Sequence, residues 1–99
     1  MLKLGPLGPM TVEDRFNLGN AFYRVDKLAG AEAQLRQVIE LDPKMPQAYL
    51  LLHNVLMKAR NPMAGLAVLE DYLRLFPQAR DYNELSERAK KLRDALKKQ

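Results

Sequence analysis

The chain has very few side chains that carry out covalent chemistry. Among its 99 residues there is no cysteine, one histidine (His53), one serine (Ser86) and one threonine (Thr11). The lack of cysteine excludes disulfides and thiolate chemistry. A hydrolytic triad needs a nucleophile, a base and an orienting group that converge, and neither hydroxyl residue has a motif around it. The sequence therefore predicts that the protein is not an enzyme.

Signals for cofactors, metals and membranes are also missing. No cluster offers the three or four ligands of a zinc site, and Gly5 and Gly8 lack the flanking strand of a phosphate loop. We expect neither cofactor nor metal. No apolar run approaches the ~20 residues that span a membrane. Pro6 and Pro9 interrupt the N-terminal stretch, so it does not resemble a signal peptide. We expect residues 1–11 to be an irregular leader or a linker from a larger protein, and we slightly favour a cytoplasmic location.

Apolar residues instead recur at helical spacing in five segments, and polar and apolar residues nowhere alternate with the period of a strand. Thr11 can cap the first segment, and Asn61 followed by Pro62 is a typical helix start. The residues before Pro43 and Pro77 resist the α conformation and so end the second and fourth segments. The expected fold class is all-α, with helices near residues 12–24, 28–41, 46–59, 62–75 and 81–98.

The helical segments repeat with a period of 34 residues. This shift aligns Pro43 with Pro77, and it also aligns Leu18 with Leu52. A helix-turn-helix period of this length resembles the tetratricopeptide repeat, whose pattern is W-x2-L-G-x2-Y, then A-x3-F, then P. The first repeat matches at Leu18, Gly19, Phe22, Ala31, Leu35 and Pro43, and the second at Tyr49, Leu52, Leu56, Leu69 and Pro77. The departures are Arg15, His53 and Gly65.

The resemblance implies an architecture of five helices stacked as a right-handed α-solenoid. Residues 12–45 and 46–79 are the two expected repeats, and residues 80–99 are the expected capping helix. Three or more repeats are usually needed for a stable array. Self-assembly, as a homodimer or as part of a larger array, is therefore the structural alternative to a lone binding module.

Two departures from the family pattern are expected to compensate each other. The family has small residues at the eighth and twentieth positions, where the two helices of a repeat approach closely. Gly19 and Ala31 fit this rule in the first repeat, whereas the second has His53 and Gly65. Because interiors are densely packed, we expect the larger residue to face the smaller one. His53 is interpreted as a packing residue, with a functional role as the alternative.

The resemblance also implies which side chains face a partner, because the first helix of each repeat lines the concave side. The predicted partner-binding groove consists of Phe16, Asn20, Tyr23, Arg24, Leu50, Asn54, Met57, Lys58, Arg88 and Lys91. The same surface includes Glu13, Gln47, Asp81 and Glu84. The expected function is that of an adaptor that binds a protein or peptide segment in this groove.

Two features of the groove support this expectation, each with an alternative. The large apolar residues Phe16, Tyr23, Leu50 and Met57 would form an exposed patch of the kind that marks interaction sites, or they pack within the array. Repeated asparagines are a device by which this family binds peptide backbone, and Asn20 and Asn54 occupy matching positions. An amide both donates and accepts hydrogen bonds. The alternative is that both asparagines are merely solvated.

One known function of the family is not favoured. Repeats that capture acidic chaperone C-termini use a clamp of lysine, asparagine, asparagine, lysine and arginine. The matching residues here are Phe16, Asn20, Leu51, Asp81 and Leu85. Because one of the five agrees, the chain does not resemble a chaperone-tail receptor.

The positive charge is concentrated near the C-terminus. Residues 80–99 contain seven Lys/Arg and four Asp/Glu, within a chain of net charge +4. Acidic residues come first in the last helix and basic residues come last, which complements the helix dipole. A solvated capping face explains this order, and an acidic protein partner or a nucleic acid is the alternative. Nucleic acid is the less favoured because no aromatic residues interleave with the basic ones.

Overall fold

The protein is built of five helices, in a computed structural model that describes residues 10–98. They are α1 (Val12–Arg24), α2 (Leu28–Leu41), α3 (Pro46–Lys58), α4 (Pro62–Leu75) and α5 (Tyr82–Lys97). No strand occurs within residues 10–98. The predicted helix boundaries agree with these to within one residue, and the all-α fold class is confirmed. Most of the predicted leader lies outside the described residues.

The helix starts follow the capping signals of the sequence. The Asp14 N–H donates to Thr11 Oγ1 over 3.0 Å, and the Thr11 N–H donates to the Asp14 carboxylate over 3.2 Å. These two bonds form a capping box at the start of α1. Asn61 accepts a hydrogen bond from the Ala64 N–H at the start of α4. One N-terminal amide of each helix, that of Asp14 in α1 and that of Ala64 in α4, is thereby satisfied by a capping side chain.

The turn inside each helix pair has the same backbone conformation. Asp26 has φ 62° and Arg60 has φ 61°, and these are the non-glycine residues with positive φ in the described chain. They are 34 residues apart. Aspartate adopts this left-handed conformation more readily than arginine does. The repeated turn means that α1–α2 and α3–α4 are hairpins of the same type.

Each helix packs against the next along the chain, and short connections of this kind make consecutive helices antiparallel. α1, α3 and α5 therefore run in the same direction. In addition, α1 approaches α3 to within 8 Å between Cα atoms, whereas α2 does not approach α4 this closely. The face of the stack that carries α1 and α3 is therefore its inner, concave side. The molecule is elongated, with extents of 59 × 28 × 18 Å.

The core is centred on the second helix pair, α3 and α4. Leu52, Leu56 and Leu69 are almost completely buried there, and α5 contributes Leu85 and Ala89 to the same cluster. The burial of such side chains supplies the main stabilisation of the stack. Within residues 10–98 no helix has both the length and the apolar character needed to cross a membrane.

The N-terminal end of the stack is polar. α3 buries Leu52 toward α4, and on the side toward the first pair it buries Ala48 and Val55 completely. The residues of α1 that correspond to these two by the 34-residue shift are Asp14 and Ala21, and both are exposed. α1 therefore lacks the buried apolar side that α3, its counterpart in the next repeat, has at these two positions.

The C-terminal end is polar as well. Leu52 and Leu56 face α4 and are buried, but the corresponding residues of α5 are Ser86 and Lys90. Ser86 is half-buried and Lys90 is exposed. α5 thus packs on α4 through one side and presents a polar side where a following helix would pack, which is the arrangement expected of a capping helix.

Candidate functional site

The predicted groove lies along the concave side, where the apolar residues are only partly exposed. Phe16, Tyr23 and Leu50 are half-buried and pack against the core cluster, and Met57 is 37% exposed. The two sequence interpretations, an exposed patch and internal packing, therefore both apply in part. These side chains leave a partly solvent-exposed apolar strip on α1 and α3.

Met57 has a packing role that the sequence analysis missed. A Cβ atom built on Gly65 would lie 2.8 Å from Met57 Sδ and 3.6 Å from His53 Nδ1. The Met57 thioether thus crosses the α4 backbone at this glycine. His53 faces Gly65 as expected, with Nδ1 2.8 Å from the Gly65 carbonyl oxygen, but Met57 rather than His53 is the side chain that a larger residue at this position would displace.

The two asparagines occupy equivalent places on neighbouring helices. Asn20 is half-buried on α1 and Asn54 is exposed on α3. Neither side chain forms a hydrogen bond with another residue in the range 10–98. Their amide groups are therefore free to donate to and accept from a ligand.

Lys58 and Tyr23, two further residues of the predicted groove, are in contact through the Lys58 ammonium group, which also binds Asp26. Lys58 Nζ lies 2.7 Å from Asp26 Oδ1 and 5.3 Å from the centre of the Tyr23 ring. The hydrogen bond and the charge of Asp26 raise the pKa of Lys58. This contact joins the end of α3 to the turn after α1. Sequence reasoning placed Tyr23 and Lys58 in the groove but not in contact.

The remaining cations of the groove, Arg24, Arg88 and Lys91, are exposed and make no ion pair with the described residues. Arg93, on another side of α5, instead donates from Nε and Nη2 to Glu70 of α4, at 3.1 and 2.7 Å. The side of α5 that carries Arg88 and Lys91 is therefore turned away from α4.

His53 is held at the crossing of α3 and α4. It is 2% exposed, and its Nδ1 lies 2.8 Å from the Gly65 carbonyl oxygen. Because a carbonyl only accepts, Nδ1 carries the proton and donates it. Burial lowers the pKa of His53, the bond to Gly65 opposes this, and the positive charge of Arg88 lowers it further. This geometry agrees with the interpretation of His53 as a packing residue.

A second depression, which the sequence analysis did not predict, lies at the opposite edge of the stack. Its volume is about 340 Å³, and it is lined by Pro46, Tyr72, Leu75, Phe76, Pro77, Gln78 and Ala79. The Tyr72 hydroxyl donates to Asp81 Oδ1 over 2.6 Å, and burial together with this bond raises the pKa of Tyr72 to about 12. The Phe76 ring packs against two tyrosines, edge-to-face with Tyr49 at 5.7 Å between ring centres and tilted against Tyr72 at 5.3 Å. These contacts fix the joint between α4 and α5.

Within residues 10–98, no group of three or more histidine, aspartate and glutamate side chains is arranged to hold a metal ion. A scan of protein-family models and a search of curated proteins both found no match to this chain.

Proposed function

We propose that the protein is an interaction module that binds an extended segment of a partner protein across the concave side of α1 and α3. The observation that carries the proposal is the pair of unbonded amides, Asn20 and Asn54, beside half-exposed Phe16 and Leu50. The amides supply polar recognition and the apolar strip supplies burial. The resemblance to tetratricopeptide repeats adds the expectation that this surface is the one used.

The spacing of the asparagines suits an extended chain. Neighbouring packed helices are about 8–10 Å apart, and an extended chain advances about 3.3 Å per residue. A strand that crosses from Asn20 to Asn54 would therefore meet the second amide about three residues after the first. Each amide can bond both the N–H and the C=O of the backbone that it meets, so such binding depends little on the ligand's side chains there.

Self-assembly through the ends of the stack is the less favoured alternative. The faces that would receive another helix pair carry Asp14 and Ala21 at one end and Ser86 and Lys90 at the other. Permanent assemblies bury interfaces that are more apolar than these faces. Light scattering tests this alternative directly, since a tight dimer at micromolar concentration would favour assembly over peptide binding.

The proposal is tested with peptides selected from a random display library on the intact protein. We expect Asn20→Ala and Asn54→Ala each to weaken binding of the most enriched peptide by ~1–3 kcal/mol, which is about tenfold to a hundredfold in affinity. Asn17→Ala and Asn83→Ala are matched controls, because both asparagines are exposed but lie outside the groove. They should leave the affinity unchanged.

Stability should not fall in any of the four variants, because these amides make no hydrogen bond that folding depends on and alanine has the higher helix propensity. Thermal unfolding followed by circular dichroism checks this. If groove and control variants bind the peptide equally well, the groove is not the binding surface and the proposal is wrong.

A further inference from the structure

The turns of the two helix hairpins and the C-terminus of α5 lie at one end of the stack. Because consecutive helices are antiparallel, residues 25–27, residues 59–61 and Lys98 are all at this end, which we call the turn end. The opposite end, which we call the loop end, carries the start of α1 and the connections 42–45 and 76–81. The groove runs along the side of the stack between them, so the turn end is a separate surface.

Positive charge is concentrated in the half of the molecule toward the turn end. When each helix is divided at its middle, this half consists of residues 19–34, 53–68 and 90–98 and contains nine Lys/Arg and three Asp/Glu. The remainder of residues 10–98 contains six Lys/Arg and nine Asp/Glu. The net charges of the two halves are therefore +6 and −3. An anionic surface attracts the turn end and repels the loop end.

The excess of positive charge extends to the tips of the turn end. Residues 24–28, 58–62 and 95–98 contain six Lys/Arg, and Asp26 is the acidic residue among them. All seven charged side chains are exposed. The carboxylate of Asp26 binds Lys58 within the same end, so it leaves the net charge of the tips at +5.

Two large apolar side chains are exposed at the turn end beside these cations. Met63, in the first turn of α4, is 72% exposed, and Val25, which directly follows α1, is 62% exposed. They are the most exposed large apolar side chains in residues 10–98. Aliphatic groups next to lysine and arginine suit the surface of an anionic bilayer. The apolar groups enter the boundary of the acyl chains there, while the long cationic side chains stay among the headgroups.

We propose that the turn end docks on a membrane surface that contains anionic lipids. Val25 and Met63 insert among the headgroups, and the surrounding cations bind the lipid phosphates and carboxylates. In this orientation the helices stand upright on the membrane, the acidic loop end faces away from it, and the groove remains open. The inference goes beyond the proposed function, because it gives the protein a second, independent binding surface that would hold its peptide ligand at a membrane.

A bilayer is favoured over a nucleic acid as the anionic partner. A planar surface contacts three tips at one end of the stack together, and it accepts the aliphatic side chains of Val25 and Met63. None of the aromatic residues within 10–98 is exposed, so the described chain offers no ring on which bases could stack. A DNA duplex, which binds cations through its backbone alone, is included below as the competing ligand.

The experiment is sedimentation of the full chain with vesicles of phosphatidylcholine alone or with about 30% phosphatidylserine. We expect binding to the anionic vesicles and not to the neutral ones, and weaker binding as the salt concentration rises. Soluble glycerophosphoserine carries the same headgroup without a surface. It should fail to compete at an equal concentration of headgroups.

A pair of charge variants tests the turn end against the loop end. Lys27→Gln combined with Lys98→Gln should weaken vesicle binding by about tenfold or more, because each cation near an anionic membrane contributes about fivefold. Lys44→Gln combined with Arg80→Gln is the matched control. It removes the same charge from exposed side chains at the loop end, so it should change the binding little.

A second pair tests the apolar contact. Met63→Gln keeps the size of the side chain and should weaken vesicle binding by about three- to tenfold, because the apolar group no longer leaves water. Leu41→Gln is the control, since Leu41 is 58% exposed but lies at the loop end. Circular dichroism confirms that each variant folds.

The outcomes decide between the surfaces and between the partners. Equal binding to neutral and anionic vesicles, or equal losses from the two charge variants, would overturn the proposal. Displacement of the protein from anionic vesicles by the DNA duplex, with binding to the duplex that tolerates Met63→Gln, would overturn it in favour of a nucleic acid. Peptide binding in the groove is measured without vesicles, so a failure of the membrane surface leaves the proposed function standing.

Discussion

The first helix pair (α1 and α2) and the second pair (α3 and α4) share one pattern but differ in how deeply it is buried. Leu18 and Leu52 occupy the same position, yet Leu18 is half-buried and Leu52 is 1% exposed. Phe22 is likewise half-buried, while the corresponding Leu56 is fully buried. The same apolar position thus contributes differently to stability in the two pairs.

The difference arises from neighbours rather than from composition. α3 packs on α2 as well as on α4, and α4 packs on α5, so the second pair is covered from both directions. α1 has no helix before it among residues 10–98, and its outward side carries polar residues such as Asp14. In a stack of repeats, each pair depends on the next for burial, and the ends are the least stable parts.

Truncation of the two equivalent leucines is expected to give the largest difference in stability between the two helix pairs. Leu52→Ala should lower the free energy of unfolding by ~2–5 kcal/mol, the range for emptying a buried leucine site. Leu18→Ala should cost about half as much or less, because its site is partly open to solvent. Chemical denaturation of both variants measures the difference. Equal losses would mean that the second pair is not the stable centre of the stack.

Gly19 in the first pair and Gly65 in the second each lie where the two helices of the pair approach closely, so alanine substitutions there compare the packing of the two pairs. In Gly19→Ala the new Cβ would lie 3.0 Å from Cγ of Leu35, which is completely buried and cannot move away. Overpacking of this kind outweighs the gain of about 1 kcal/mol in helix propensity, so we expect a net loss of about 1 kcal/mol.

Gly65→Ala should behave in the opposite way, because the obstacle there is the flexible end of Met57. We expect it to be neutral or stabilising by up to about 1 kcal/mol. In a Met57→Ala background the obstacle is gone, and the full gain should appear. Thermal unfolding of the single and double variants checks both points; a large loss from Gly65→Ala alone would show that His53 is the crowded residue after all.

The smallest expected effect is a pH dependence that only the second pair has. Burial lowers the pKa of His53, so its stabilising contribution is fully present above the unfolded value near 6.5. It is lost as the pH falls toward the lower pKa of the folded state, because the unfolded chain binds the proton first. Gly19, at the same position in the first pair, has no titratable group.

Denaturation between pH ~7.5 and pH ~5, the window in which histidine titrates, should therefore show decreasing stability for the natural protein. The His53→Gln variant should have a flatter profile across the same window, whatever its absolute stability. Profiles of the same slope would assign the pH dependence to carboxylates rather than to His53.

Helix boundaries could be predicted from the sequence because their signals are local. Thr11 with Asp14, Asn61 with Pro62, and Pro77 each act on the backbone within a few residues, and the structure follows them. The 34-residue period likewise placed Leu52 and Leu56 in the core, since a repeated apolar face must be buried by its neighbour.

Contacts between helices could not be predicted in the same way. The pairing of Lys58 with Asp26 depends on a left-handed turn in one pair and a helix end in the next. The phase of Met57 predicts a position on the concave side, but the contact of its thioether with Gly65 depends on the distance between α3 and α4. Periodicity gives the direction of a side chain, not its partner.

The polar end faces have a consequence for linked copies of the protein. If two copies were joined in tandem by a flexible linker, Ser86 and Lys90 of the first would meet Asp14 and Ala21 of the second. Such a junction gains little free energy from apolar burial. The copies should behave as separate folding units, with the same unfolding midpoint as one copy, rather than as one longer cooperative superhelix.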